Sequence, residues 1–193
     1  MTKKIIKRMI ILIFILAIIF VLFRIFRVQD IILKNIYPTK YLTYVEKYAE
    51  ENELDKYMIY AIIKAESNFD PNVKSQSDAI GLMQLLQETA KERSKAVDEE
   101  DITEENLYEP ETNIKLGTSY YAYLLKYYNG NNVLALTAYN AGIGNVDTWI
   151  KTGVIKQDGS DIENIPYKET NNYVRKILRD YQMYIKLYEE EIK

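Results

Sequence analysis

Apolar residues follow two different patterns along this chain of 193 residues. Residues 9–23 contain no polar side chain, whereas from residue 40 onward apolar side chains recur every three or four positions, which is the period of an amphipathic helix. No segment sustains the two-residue alternation of a half-buried strand. The pattern predicts an all-α protein, with β structure at most in a small loop or hairpin, in which a single helical domain follows an N-terminal membrane helix.

The uninterrupted apolar run predicts a transmembrane helix. It spans about 22 Å, and it reaches a hydrocarbon core of about 30 Å if Arg24 and the other flanking basic side chains extend to the headgroups. A cleaved signal peptide is the alternative, but no small-residue cleavage site follows the run, so an uncleaved anchor is favoured. Four basic residues within positions 3–8 place the N-terminus in the cytoplasm. The predicted organisation is a basic cytoplasmic segment at 1–8, the anchor at 9–26, a tether at 27–39 and an extracytoplasmic domain at 40–193.

The chain contains neither Cys nor His. This composition excludes Ser-His-Asp and Cys-His nucleophiles, thiol redox chemistry and nearly all zinc, copper or haem sites, so no metal or cofactor is expected. Any acid–base chemistry has to come from carboxyl groups, lysine or tyrosine. Residues 40–193 carry 18 basic and 27 acidic side chains, which makes nucleic acid a poor partner for the domain. A neutral partner held by shape and hydrogen bonds fits this composition better.

Capping residues and turn residues divide the domain into helices. Asp55 is a plausible N-cap for the helix that follows it, and a polar loop is predicted over 68–80. The predicted helices cover about 40–52, 56–67, 81–95, 111–128, 132–141, 144–152 and 167 to the C-terminus.

One carboxylate stands on the apolar face of the second of these helices. Glu66 follows Ile63, Ile62 and Ile59 at spacings of three, four and seven residues, so the four side chains share one helical face. A glutamate near a helix end is usually solvated, which is the ordinary interpretation. A carboxyl among buried isoleucines would instead have a raised pKa, because desolvation disfavours its charged form. A carboxylic acid that is neutral near pH 7 is what a glycosidic general acid requires.

Three further segments combine glycines with isolated polar residues. The helix predicted over 81–95 begins at a glycine and places Gln84 in its first turn. Gly117 interrupts an apolar helix at a point where only a residue without a Cβ would let another helix approach closely. Tyr139 and Asn140 are expected to be buried at a helix end beside two glycines. Each feature alone is typical of a cap or a helix contact, but their combination with the buried carboxylate indicates a polar cleft.

Five motifs in one order resemble the soluble lytic transglycosylase family, whose fold is similar to goose-type lysozyme. They are "AESNFDPN", "AIGLMQLLQETA", "LYEPETNIKLGTSYYAYLL", "ALTAYNAGIGNV" and "IPYKETNNYVRKIL". The resemblance covers about residues 44–184 and implies peptidoglycan strands as the substrate. The implied reaction cleaves the β-1,4 bond from N-acetylmuramic acid to N-acetylglucosamine and leaves a 1,6-anhydromuramoyl end.

The resemblance also implies roles for particular side chains. Glu66 corresponds to the catalytic glutamate of the family. Ser75 corresponds to a hydroxyl that lies near the acetamido group of the substrate. The other corresponding residues are implied to line the cleft, position the substrate and tune the glutamate: Gln84, Tyr139, Asn140 and Tyr173.

One position departs from the family pattern. Where the family usually has a glycine three residues before the glycine of its GLMQ motif, this chain has Asp78. Aspartate adopts a positive φ more readily than most residues, so the turn is expected to survive. Asp78 also adds a second carboxylate to a loop expected near the cleft. A hydrolytic muramidase with Asp78 as its base is therefore an alternative, as is a catalytically inactive glycan-binding scaffold.

Overall fold

The computed structural model describes residues 3–97 and 102–189, and most of this part of the chain is helical. Two isolated antiparallel bridges, Lys74 with Ile80 and Ile80 with Leu85, are its β-like pairing. This architecture confirms the predicted all-α class with a small β-like loop. The helices are α1 (Lys3–Ile36), α2 (Leu42–Glu51), α3 (Lys56–Glu66), α4 (Gln87–Ala96), α5 (Pro110–Tyr127), α6 (Asn132–Ala141), α7 (Ile143–Lys151) and α8 (Lys168–Tyr188), with 3₁₀ turns at Glu105–Tyr108 and Ile162–Asn164.

The first helix, α1, is continuous over 34 residues, which makes it about 51 Å long. Neither glycine nor proline interrupts the sequence before Pro38, so the helix includes the predicted anchor and continues through most of the predicted tether at 27–39. Most of its large apolar side chains that the structure describes are exposed, and within the described residues it is the one helix long and apolar enough to cross a membrane.

The chain divides into two compact units by its internal contacts. One unit is Met1–Pro38 with Leu187–Lys193, and the other is Thr39–Lys186. All side chains of the candidate site, described below, belong to the second unit.

The most deeply buried helix of the second unit is α3. The Asp55 carboxylate accepts a hydrogen bond from the Tyr57 amide over 2.8 Å, which confirms the predicted N-cap. Every residue from Tyr57 to Ile63 is buried, so other elements cover this helix on all sides. The helix ends at Glu66, because two residues shortly after it have positive φ values and reverse the chain direction.

One predicted helix is wrong at its start. The helix expected over 81–95 begins only at Gln87. Ile80 and Leu85 exchange two backbone hydrogen bonds of 2.9 and 3.0 Å, and these bonds close the intervening residues into a tight loop. Gln84 therefore lies in this loop with a φ of 48°, and not in the first turn of a helix.

The other helices predicted between residues 40 and 167 lie within two residues of their predicted bounds, and α6 matches them fully at Asn132–Ala141. The last predicted helix is α8, which is described as far as Tyr188, and the predicted extension over 190–193 lies outside the described residues. The ring of Tyr184 in α8 stacks on Tyr60 in α3 with 5.5 Å between the ring centroids. This contact packs the C-terminal helix along the buried α3 and brings polar residues of α8 to the end of α3.

Candidate active site

Glu66 is the last residue of α3, and its carboxyl is close to α8 and α6. The Tyr173 hydroxyl donates to Glu66 Oε1 over 2.5 Å. Lys176, one turn further along α8, donates to the carbonyl of Ala65 over 3.2 Å. Burial and then the charge of Glu66 raise the pKa of Tyr139 well above its ordinary value, so Tyr139 of α6 lies within electrostatic range of the same carboxyl. Three helices therefore converge on one acidic group.

Burial raises the pKa of Glu66 from 4.5 to about 7. The hydrogen bond from Tyr173 and the positive charge of Lys176 both act in the opposite direction, so desolvation is the larger effect. The three isoleucines that precede Glu66 on the same face have no exposed surface, which confirms the apolar environment expected from the sequence. Near neutral pH this carboxyl is divided between its protonated and ionised forms, the condition that suits a group which both donates and accepts a proton.

An asparagine of α5 holds the loop that follows α3. Asn113 is fully buried, and its Oδ1 accepts from the Met83 amide over 2.7 Å. Its Nδ2 donates to the carbonyls of Ile80 and Leu107 over 2.9 and 2.7 Å. Gly81 has a φ of 77°, and a Cβ at this position would lie 2.3 Å from both Asn113 Nδ2 and the Leu107 carbonyl. Glycine is therefore required here for conformation and for space.

The same loop is also fixed beside the Glu66 carboxyl. A Cβ on Gly117 would lie 2.5 Å from Met83 Sδ, so the close approach expected at this glycine is present, but the approaching group is a loop methionine and not a helix. The Tyr139 hydroxyl donates to the Met83 carbonyl over 2.8 Å, and the Ser67 hydroxyl donates to the Leu82 carbonyl over 2.8 Å. Side chains from α5, α6 and the C-cap residue of α3 thus fix one stretch of irregular backbone.

Tyr139 and Asn140 close α6 and differ in exposure. Tyr139 is half-buried, and its ring packs on Tyr120 of α5 at 5.1 Å. Asn140 is exposed, which corrects the expectation that both residues are buried, because the last turn of α6 faces solvent on this side. The Thr170 hydroxyl donates to Asn140 Oδ1 over 2.6 Å and leaves the amide N–H groups as the donors of this side chain.

Ser75 and Gln84 are both placed in the loop between α3 and α4. Ser75 Oγ accepts from backbone N–H groups two and four residues further on, over 3.2 and 3.0 Å, so its own O–H remains able to donate. Gln84 Nε2 donates to the carbonyls of Val73 and Gly81 over 3.1 and 2.9 Å. Within the described residues, none of these hydrogen bonds of Ser75 and Gln84 is made to Glu66. A substrate-binding role for either side chain stays a prediction.

Asp78 has a φ of 60°, which confirms that aspartate sustains the turn for which the family pattern has glycine. Its side chain is 81% exposed and pairs with Lys74 at 3.3 Å. Lys74 also pairs with Glu104 at 2.6 Å, and the three side chains line a surface cleft of about 360 Å³. Glu66 is not among the described residues that line this cleft. The role of Asp78 as a second carboxylate stays a prediction.

Sequence analysis did not single out Asn113, Thr170 or Lys176. Asn113 lies on the same face of α5 as Leu116 and Gly117. A polar residue on this buried face was a signal from which its structural role could have been predicted. Thr170 and Lys176 gave no local signal, because their partners lie 30 and 111 residues away in the chain.

Known proteins share this sequence pattern. Residues 43–161 match the transglycosylase SLT domain. The chain is 36% identical over 148 residues to the soluble lytic murein transglycosylase of Salmonella typhimurium, and the aligned region covers 76% of this chain and 23% of that protein. It is 38% identical over 116 residues to membrane-bound lytic murein transglycosylase C of Edwardsiella ictaluri, and the aligned region covers 55% of this chain and 32% of that protein. The chain therefore spans about a quarter of the length of the soluble relative.

Solved structures share the fold. Lytic transglycosylase Slt from Pseudomonas aeruginosa, determined as an inactive glutamate-to-glutamine mutant, is 35% identical with a TM-score of 0.71, over 78% of this chain and 24% of that one. The 70 kDa soluble lytic transglycosylase from Escherichia coli is 32% identical with a TM-score of 0.72, over 80% of this chain and 25% of that one. The fold is thus the lysozyme-like helical domain of lytic transglycosylases. The chain belongs to the transglycosylase SLT domain family.

Proposed function

We propose that this protein is a peptidoglycan lytic transglycosylase, which cleaves the β-1,4 bond from N-acetylmuramic acid to N-acetylglucosamine and leaves a 1,6-anhydromuramoyl end. The observation that carries the proposal is the carboxyl of Glu66, which lies at the end of a buried helix and has a pKa of about 7. A chain without His or Cys depends on such a group for acid–base chemistry. The names of the relatives, which are lytic murein transglycosylases, support the same substrate.

In the first step, protonated Glu66 donates its proton to the glycosidic oxygen while the bond from that oxygen to C1 of the muramoyl residue breaks. The Tyr173 hydroxyl donates to Oε1, so the proton that is transferred resides on Oε2. Burial favours the protonated form of the acid, and the bond from Tyr173 stabilises the carboxylate that remains after the transfer.

In the second step, the C6 hydroxyl of the muramoyl residue attacks C1, and the Glu66 carboxylate takes the proton from that hydroxyl. Glu66 returns to its starting state and no water is consumed, so one carboxyl is sufficient. The 2-acetamido group can support the positive charge at C1 if the Ser75 hydroxyl or the Asn140 amide orients it. Gln84 and Tyr139 position the strand in this proposal.

Hydrolysis is the alternative reaction, and it needs a second carboxylate. In an inverting glycosidase the base lies roughly 6.5–9.5 Å from the acid and holds a water molecule between them. Asp78 is exposed and paired with Lys74, which favours the transglycosylase reaction over hydrolysis. Mass analysis of digested peptidoglycan decides between them, because the anhydro product is lighter than the hydrolysis product by one water. Release of only reducing-end muropeptides by the full chain in detergent would overturn the proposal.

An inactive glycan-binding scaffold could share this fold, and Glu66→Gln separates it from an enzyme. The substitution keeps the size and the hydrogen-bond acceptor of the side chain but removes the acid. We expect it to abolish release of soluble muropeptides while sacculus binding is retained. Glu88→Gln, at an exposed glutamate on α4, is the matched control and should retain both properties. Wild-type release by Glu66→Gln would exclude Glu66 as the acid.

We further propose that α1 anchors the domain at 40–193 in the cell membrane, with residues 1–8 in the cytoplasm and the domain outside it. The exposed apolar side chains of α1, the four basic residues near its start and the membrane-bound relatives support this arrangement. The chain should stay with the membrane fraction after an alkaline wash, and protease added outside spheroplasts should degrade the domain. A domain that is protected from external protease would contradict the orientation.

A further inference from the structure

A second cleft lies at the C-terminal end of α5. Its volume is about 350 Å³, within the range typical of small-ligand sites. Its lining includes Tyr127, Tyr128, Asp147, Lys151 and Gln157, which come from α5, α7 and the segment after α7. None of these side chains takes part in the mechanism proposed for Glu66, so the polar groups gathered here need a separate explanation.

Asp147 is held in this cleft as a fixed acceptor. The Tyr127 hydroxyl donates to Asp147 Oδ2 over 2.7 Å, and the Tyr128 hydroxyl donates to Oδ1 over 3.1 Å. A carboxylate offers about four acceptor positions, so each oxygen can accept a further hydrogen bond. Two acceptors held in one plane match two neighbouring donors on an N-acetylglucosamine ring, namely the 3-hydroxyl and the N–H of the 2-acetamido group.

Tyr127 supplies an aromatic surface next to this acceptor. Its side chain is 46% exposed, whereas the neighbouring Tyr128 is buried. The two rings meet edge to face with 4.9 Å between their centroids, and the hydroxyl bond to Asp147 fixes Tyr127 at its other end. A ring that is fixed and exposed in this way can pack against the C–H face of a sugar. Lys151 and Gln157 add hydrogen-bond donors to the same cleft.

A row of tyrosines leads from the Glu66 site to this cleft. Tyr139, whose hydroxyl bonds to the Met83 carbonyl in the loop after α3, packs on Tyr120 at 5.1 Å. Tyr120, Tyr123 and Tyr127 follow one another at spacings of three and four residues, so they share one face of α5. The last two rings are 6.2 Å apart. Along the helix axis the row covers about 10 Å, a length comparable to that of a disaccharide.

We propose that the cleft of Tyr127 and Asp147 is a second saccharide site, which binds an N-acetylhexosamine unit of the same glycan strand that is cleaved at Glu66. The inference rests on the proposed function, because the strand is the ligand in both places. The site combines an aromatic ring with planar hydrogen-bonding groups, which suits a sugar. The Asp147 carboxylate and the net acidity of residues 40–193 oppose an anionic ligand such as a nucleic acid.

Binding of sacculi by the full chain in detergent tests this site, with Glu66→Gln present in every variant so that no strand is cut. Tyr127→Ala should weaken binding about tenfold, the ratio expected for the loss of one aromatic contact. Tyr127→Phe keeps the ring and loses only the bond to Asp147, so it should weaken the binding of sacculi less than Tyr127→Ala does. Tyr44→Ala, at a half-buried tyrosine on α2, is the control and should bind as the parent does.

A second measurement separates lost binding from lost folding. With Glu66 intact, Tyr127→Ala should still release anhydro product, with a raised KM and a smaller change in kcat. Equal affinity of Tyr127→Ala and Tyr44→Ala for sacculi would overturn the second site, and so would a loss of kcat without a change in KM. The proposed function fails by a different readout, namely the absence of anhydro product from the unsubstituted chain.

Discussion

Two pairs of tyrosine and carboxylate lie in the same domain and are made of the same groups. Tyr173 donates to Glu66 over 2.5 Å, and Tyr127 donates to Asp147 over 2.7 Å. The first pair lies at the end of a helix that is buried on all sides, and the second lines an open cleft. Burial raises the pKa of Glu66 to about 7 although its hydrogen bond acts to lower it. The surroundings of a carboxyl, more than the hydrogen bond it accepts, therefore decide whether it can serve as an acid.

The largest expected difference between the two pairs is in turnover. Glu66→Gln should lower kcat by roughly 10²–10⁴-fold, which is the usual contribution of a general acid. Asp147→Asn should act chiefly on KM, because Asp147 is proposed to bind the strand and not to transfer a proton. Rates of anhydro product release at increasing sacculus concentrations measure both effects. Similar losses of kcat in the two variants would remove the distinction between an acid and an acceptor.

The second difference is in the pH dependence of stability. The pKa of Glu66 is about 7 in the folded protein and 4.5 as the ordinary value for the unfolded chain. The stability that this shift contributes is complete below pH 4.5 and is lost as the pH rises through 7, with a total of at most about 3 kcal/mol. Glu66→Gln cannot ionise, so its free energy of unfolding should exceed that of the wild type increasingly over this range. Denaturant titrations at pH 4.5 and 8 measure the change, and a constant difference between the proteins would contradict it.

The loop glycines test what fixes the structure around the half-buried pair of Glu66 and Tyr173. Gly81→Ala should lower stability by about 2 kcal/mol or more, because alanine is strained at its positive φ and the new Cβ would clash with the Leu107 carbonyl. Gly144→Ala is the control, since this glycine lies inside α7 and a Cβ added to it would point into open space. That change should leave stability equal or raise it by roughly 0.5–1 kcal/mol. Melting temperatures of the two variants give the comparison. Equal values would show that the Gly81 loop accommodates a Cβ without loss of stability.

The smallest expected effect concerns the hydrogen bond from Tyr173 to Glu66. Tyr173→Phe removes a bond that lowers the pKa of Glu66, so that pKa should move further above 7. The alkaline limb of the kcat/KM profile should shift to higher pH. The maximal rate should fall about tenfold, because the Glu66 carboxylate that forms on proton transfer has lost a hydrogen-bond donor. Tyr127→Phe should leave the limb in place. A limb that stays fixed in Tyr173→Phe would show that the profile does not report Glu66.

Local sequence patterns predicted those features that residues within one or two turns determine. The N-cap at Asp55, the bounds of α6 and the apolar face that ends in Glu66 depend on spacings inside a single helix. The raised pKa of Glu66 was expected from the same face, because a carboxyl in line with buried isoleucines is desolvated.

Long-range contacts determine what the sequence analysis predicted wrongly or did not predict. The apolar residues Leu82 and Met83 fit a helical pattern, but a buried asparagine of α5, 30 residues further on, holds the backbone of Met83 in a loop. Asn140 was expected to be buried beside two glycines, but it is exposed in the last turn of α6, and it accepts a hydrogen bond from Thr170 of α8, 30 residues further on. Patterns within a helix cannot specify contacts of this kind.

The three hydrogen bonds of Asn113 have a consequence for the entry of substrate. They tie the Met83 amide and two carbonyls of separate segments to one fully buried side chain, so the loop cannot detach at one point alone. Hydrogen exchange at the Met83 amide should therefore be as slow as exchange in α3, although Met83 lies outside any helix. Under the proposed function, a glycan strand then meets backbone that is already ordered, and the entropy of ordering this loop does not weaken its binding.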